Sequence, residues 1–160
     1  MRQKIRDNLA KLLATFFHIG DMPVAPGTLA SFAGTLLYAV FYQRWVEYAI
    51  LTVAITCVGL MVSGRAERMI AEKDPSCIVI DEVAGVLIAF FMLPLTPAVL
   101  VTTFFLFRAF DMFKIYPANK FEDIHGSVGI MTDDLFAGLY TNLTMQLAIR
   151  LSGIVQSTQI

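Results

Sequence analysis

DEVAGVLIAFFMLPLTPAVLVTTFFLFR occupies residues 81–108. Asp81 and Glu82 open it, Arg108 closes it, and residues 83–107 between them carry no charge. A helical crossing of a bilayer needs about 20 apolar residues, so this run could cross once. Pro94 and Pro97 argue otherwise, because each removes a backbone donor and resists helix continuation. The stretch therefore predicts two short helices joined by a tight turn, with a vicinal carboxylate pair at the mouth. The arrangement recurs in TDDLFAG, where Asp133 and Asp134 precede another apolar run.

Three further apolar stretches, residues 29–42, 46–62 and 135–149, flank this one. The chain as a whole has 160 residues, 57% hydrophobic and 16% charged. Soluble domains usually carry about 25% charged residues. The expectation is an all-α, polytopic helical membrane protein with about four to five short apolar helices and an N-terminal amphipathic helix. Ile5, Leu9, Leu12, Leu13 and Phe16 recur at helical spacing among Arg2, Lys4, Arg6 and Lys11, as in a helix lying on an anionic membrane surface. No small-residue cleavage site follows them, so a removed signal peptide is not expected. One domain over residues 1–160 is expected, with residues 1–19 interfacial and residues 20–155 forming the catalytic helical core. GDMPVAPGT, residues 20–28, reads as a loop with Thr28 placed to cap the next helix.

Charge placement predicts an orientation. If residues 1–28, 64–82 and 108–134 share one side, they gather 10 of the 12 Lys and Arg residues and 12 of the 13 acidic ones. A Lys and Arg excess marks the cytoplasmic face. Hairpins starting near 28 and 46 and near 83 and 98, with a last helix leaving from 134, would produce this one-sidedness. The net charge of −1 excludes a nucleic-acid binder that works by neutralising phosphates. Cys57 and Cys77 lack a CxxC or His companion, so neither a disulfide framework nor a zinc site is indicated.

Carboxylates at membrane depth are costly and usually pair, bind ions or line a polar cavity. Between the two acidic pairs lies FRAFDMFKIYP, in which Arg108, Asp111 and Lys114 are spaced by three and can form a ladder on adjacent helical turns. Asp81, Glu82, Asp133 and Asp134 offer oxygen ligands for a hard divalent ion such as Mg2+. Arg108, Lys114, Thr28 and Ser31 offer partners for phosphate oxygens, and helix N-termini near Thr28, Val83 and Leu135 add partial positive charge. Together they point to phosphoryl chemistry at a membrane surface. A DxD nucleophile, a cysteine-phosphatase loop and an HxK pair are all missing, as is the DxxDGxxAR signature of CDP-alcohol phosphotransferases. His125 reads as a turn residue that could protonate a leaving group, and GSVG, residues 126–129, as a flexible turn.

PVAPGTLAS at 23–31, IDEVAG at 80–85, FRAFDMFKIYP at 107–117 and HGSVGIMTDDLFAG at 125–138 resemble, in order and spacing, the phosphatidylglycerophosphatase A family. The resemblance implies Mg2+-dependent removal of the terminal phosphate of phosphatidylglycerophosphate, at the cytoplasmic face of the bacterial inner membrane. It implies catalytic roles for Asp81, Glu82, Arg108, Asp111, Lys114, Asp133 and Asp134. Family members often carry proline where this chain has Ile115. The expected partners are the lipid substrate and the bilayer; no oligomeric state follows. Alternatives are a phosphatase of another lipid phosphate and a divalent-cation carrier.

Overall fold

The computed structural model describes residues 2–72, 75–113 and 126–153. Within them the chain forms six helices and no strand: α1 Arg2–Ala14, α2 Pro26–Phe41, α3 Trp45–Ile70, α4 Ile80–Ala89, α5 Pro97–Phe113 and α6 Ser127–Ser152. The all-helical expectation holds. So does the break in the 81–108 stretch, since Pro94 falls in the connection and Pro97 is the first residue of α5. Proline is tolerated there because the first N–H of a helix has no intrahelical partner.

The shortest helix sits at the centre. α4 buries Val83, Ala84, Gly85, Val86 and Leu87 and packs against α2, α3, α5 and α6. Its closest neighbour is α6. A Cβ on Gly138 would stand 2.2 Å from the carbonyl oxygen of Gly85, and one on Gly85 would stand 2.5 Å from that of Asp134. The two backbones are therefore in contact, which only small residues permit.

Ending a helix after ten residues inside the protein leaves carbonyls to satisfy. Side chains from three helices satisfy carbonyls of its last turn and of the connection that follows. Tyr48 donates to the Leu87 carbonyl at 2.6 Å and Tyr38 to that of Leu93 at 2.7 Å. Asn142 Nδ2 donates to those of Ala89 and Phe91 at 3.1 and 2.7 Å. Tyr38 also stacks on Phe90 with ring centroids 4.6 Å apart. Tyr38, Tyr48, Leu87, Phe90 and Phe107 form the middle of the core.

The helix starts differ from the sequence expectation in two places. α2 begins at Pro26, after Ala25 in a left-handed conformation and with no side-chain cap, so Thr28 lies inside the first turn and does not cap it. α6 begins at Ser127, not near 134. Gly126, at φ 87, is the residue before it, while Gly129 is buried within the helix, so GSVG is a helix start and not a flexible turn. As a result Asp133 and Asp134 lie in the second turn of α6, and no N-terminus near Leu135 is available to add positive charge.

Among the described residues α3 alone is long and apolar enough to cross a membrane by length and composition, and only 22% of its most apolar window is buried. The outer faces are nonetheless oily. Leu29, Phe32, Leu36 and Val40 form an exposed stripe on α2, and Leu139, Leu143, Leu147 and Leu151 another on α6. Contiguous apolar surface of this kind is rare on proteins that live in water.

Candidate active site

Four helices bring their polar ends to one place. In the first turn of α4, Asp81 and Glu82 meet the positive end of the helix dipole. The Gly85–Gly138 crossing lays α6 alongside, so Asp134, one turn before Gly138, faces them. α5 delivers Arg108 and Asp111, paired at 2.6 Å. α2 enters with Gly27, where a Cβ would lie 2.1 Å from Glu82 Oε1 and 3.6 Å from Arg108 Nη1. Ser31, fully buried one turn later, donates to the Gly27 carbonyl at 2.9 Å and accepts from Arg108 Nη1 at 3.4 Å. Arg108 is thus held from both sides.

The resulting cleft, of about 200 Å3, is lined by Pro75, Ser76, Ile78, Asp81, Glu82, Asp111, Asp133 and Asp134. Oxygens of Asp81, Glu82 and Asp134 all lie within 4.8 Å of one another. Burial pushes the Glu82 carboxyl up to about 8, and the neighbouring charge of Asp134 adds to the rise. Burial, followed by the charges of Asp111, Asp81 and Asp133, holds Asp134 well above the usual carboxylate range. Both residues lie just outside the apolar stretches. Like charges this close resist joint ionisation unless a cation joins them. Glu82 Oε2 is buried without a hydrogen-bond partner. A buried, unsatisfied oxygen beside two other carboxylates is a donor set that fits a hard divalent cation.

A sequence profile of the family described as Phosphatidylglycerophosphatase A matches residues 12–149. The chain belongs to the phosphatidylglycerophosphatase A family. Members of this family are phosphatases, so the protein is an enzyme. It is 33% identical over 131 residues to phosphatidylglycerophosphatase A of Escherichia coli, covering 80% of this chain and 76% of that one. The Haemophilus influenzae protein of the same name is 32% identical over 137 residues, covering 83% and 84%. A Bacteroides thetaiotaomicron protein, provisionally named a phosphatidylinositol-3-phosphatase, is 32% identical over 150 residues, covering 88% and 93%. No solved structure matches the chain.

The geometry sorts the residues expected at the site. Asp81, Glu82 and Asp134 form the tight group, whereas Asp133 lines the same cleft without joining it. Asp133 Oδ1 instead accepts from the Asp134 backbone N–H at 3.1 Å. Asp111 both grips Arg108 and lines the cleft. Ser31 and Arg108 stand behind the lining residues, hydrogen-bonded to each other and, through Asp111, joined to the cleft wall. Thr28 is exposed in the first turn of α2. Lys114 and His125 lie outside the described residues.

Sequence reasoning missed Gly27, Gly85 and Gly138. Gly27 falls inside PVAPGTLAS, where proline and glycine on sequence grounds suggest a loop. Gly138 follows Asp134 by four residues and Gly85 follows Asp81 by four, so each glycine shares a helix face with a carboxylate. That shared spacing was the available signal.

Proposed function

We propose that the chain hydrolyses the terminal phosphate monoester of phosphatidylglycerophosphate, using Mg2+ held by Asp81, Glu82 and Asp134, at the cytoplasmic face of a bacterial inner membrane that it crosses several times. The observation that carries the metal assignment is the three-carboxylate group with its orphaned Glu82 oxygen. Family membership supports the substrate.

When bound, Mg2+ supplies Lewis-acid charge to the phosphoryl oxygens. The chain's own residues do the rest. Arg108, held by Asp111 and Ser31, turns its remaining N–H donors to the phosphate, where a planar fork suits paired oxygens. Thr28 at the exposed start of α2, and Lys114, are further phosphate partners. Asp133, in the cleft but outside the tight group, accepts the proton of the attacking water. As the new P–O bond forms in line, the bond to the glycerol oxygen breaks, that oxygen takes a proton from solvent as it leaves, and Asp133 returns its own proton to solvent. No phosphoenzyme forms; trapping one would overturn this route.

The test is phosphate release from phosphatidylglycerophosphate by detergent-purified protein, with Mg2+, with EDTA, and for Asp134→Asn and Asp133→Asn. Release should require the metal and fall by about two to three orders of magnitude in each variant. A second substrate reading has a specific basis, the provisional name of the Bacteroides relative. Phosphatidylinositol 3-phosphate therefore belongs in the same assay. If it is cleaved faster, the chemistry stands and the substrate assignment changes.

A further inference from the structure

α1 is built inside out. Asp7, Ala10 and Ala14 share one helix face, and α1 packs against α3 through it: Ala10 and Ala14 are buried, and Asp7 is bound by Arg65 of α3 at 2.6 Å. Of the larger apolar residues Leu12 and Leu13 are half-buried, but the two nearer the start of the helix point elsewhere. Ile5 is 60% exposed and Leu9 52%, one turn apart on a face turned away from that contact. A surface helix in water does the reverse, burying its large apolar stripe and exposing its small and polar positions.

The charges say what covers that stripe. Arg2, Lys4 and Arg6 are exposed on the same helix. Its one carboxylate, Asp7, is neutralised by Arg65. A second copy of this chain, stacked stripe to stripe, would bring those cations face to face. An anionic bilayer surface would accept both the stripe and the cations. At 13 residues α1 is about 20 Å long, too short to cross a hydrocarbon core of about 30 Å. It fits only in the plane of the surface.

We propose that α1 docks on anionic lipid, Ile5 and Leu9 towards the acyl chains and Arg2, Lys4 and Arg6 among the headgroups. The docked helix also positions the cleft. Val79 donates its N–H to the Ala14 carbonyl at 3.0 Å, and Val79 is two residues before Asp81. Gly20, just beyond α1, packs so tightly on the Cys77 carbonyl that a Cβ would stand 1.9 Å from it. The end of α1 therefore grips the segment that forms the cleft wall, and docking sets the cleft mouth at headgroup depth.

The experiment uses the full chain in vesicles, with a nitroxide on Leu9→Cys in a Cys57→Ser, Cys77→Ser background. Collisions with oxygen, which concentrates among acyl chains, are compared with collisions with a water-soluble nickel chelate. In phosphatidylcholine vesicles containing about one third phosphatidylglycerol, oxygen access should rise and nickel access fall relative to phosphatidylcholine alone. Arg2→Gln, Lys4→Gln and Arg6→Gln together should undo the shift, lowering the docked-to-undocked ratio by roughly fivefold per cation. Those three side chains are exposed and outside the cleft, so the helical spectrum and activity in detergent should not change. A label that stays water-accessible on anionic vesicles, or is equally protected on neutral ones, overturns the proposal. So does spin–spin broadening from a neighbouring label, which would identify a second copy as the occupant.

Discussion

Gly27 is the residue whose absent side chain matters most to the site. Its Cβ position is taken by Glu82 Oε1, 2.1 Å away, with Arg108 Nη1 close behind. Its backbone is ordinary for a helix start, so alanine would be accepted by the helix and refused by the carboxylate. Glu82 is the longest member of the three-carboxylate group and the one able to swing aside, but doing so carries its oxygen away from Asp81 and Asp134. Gly27→Ala should therefore leave thermal unfolding nearly unchanged while weakening Mg2+ activation about 10- to 100-fold, the usual cost of disturbing support around a metal ligand. The check is a Mg2+ titration of activity beside a thermal melt. An unchanged activation constant would show that Gly27 is ordinary helix packing. A drop in stability with it would show that the clash is absorbed by the backbone.

At the scale of elements, the α4–α6 crossing does for the acidic pairs what no local sequence feature does. Each pair is apolar-flanked and separated from the other by some fifty residues, and it is the contact of Gly85 with Gly138 that superimposes them. Gly138→Ala would place a Cβ 2.2 Å from a backbone oxygen that cannot rotate away. The helices must part, at a cost of about 1–3 kcal/mol, and Asp134 must move with α6. Activity should fall by more than stability does, whereas Leu139→Ala, on the exposed face next door, should alter neither in detergent. Melting curves and initial rates on the two variants separate these outcomes.

The same elements show what could be read beforehand. Pro94 and Pro97 broke the 81–108 stretch where expected, because a missing N–H acts locally. Asp81 and Glu82 were legible as a first-turn pair for the same reason. The start of α6 was not legible. Glycine at 126 and 129 looks like a turn, but Ser127 Oγ accepts from the Gly64 N–H of α3 at 2.7 Å, and a Cβ on Gly64 would stand 2.7 Å from the Ser127 backbone nitrogen. That packing, sixty residues away in sequence, favours helix there. The convergence of Gly27 on Glu82 was hidden likewise, since no spacing rule links residues on different helices.

The whole molecule has two unlike ends. α2 starts at the cleft, α3 finishes beside the start of α6, α4 starts at the cleft, and α5 brings Arg108 back to it. α3, α4 and α5 therefore have their cleft-side termini among charged residues: Arg65, Glu67 and Arg68 on α3, Asp81 and Glu82 on α4, Arg108 and Asp111 on α5. At the other end the α2–α3 turn carries Arg44 and the first turn of α3 carries Glu47, with Trp45 70% exposed and Tyr42 close by, the aromatic signature of a membrane–water boundary. Lys and Arg count for orientation when they lie near span ends, and here they gather at the cleft end. The cleft should face the cytoplasm. In a Cys57→Ser, Cys77→Ser background, a membrane-impermeant maleimide added to spheroplasts should label Glu47→Cys at once. Ser76→Cys, exposed on the cleft wall, should react only after the membrane is opened. Labelling of Ser76→Cys alone from outside would invert the topology and overturn the cytoplasmic placement of the cleft. Labelling of both from outside would mean that the α2–α3 hairpin does not cross at all, leaving the exposed stripes of α2 and α6 to be explained by a surface-bound fold.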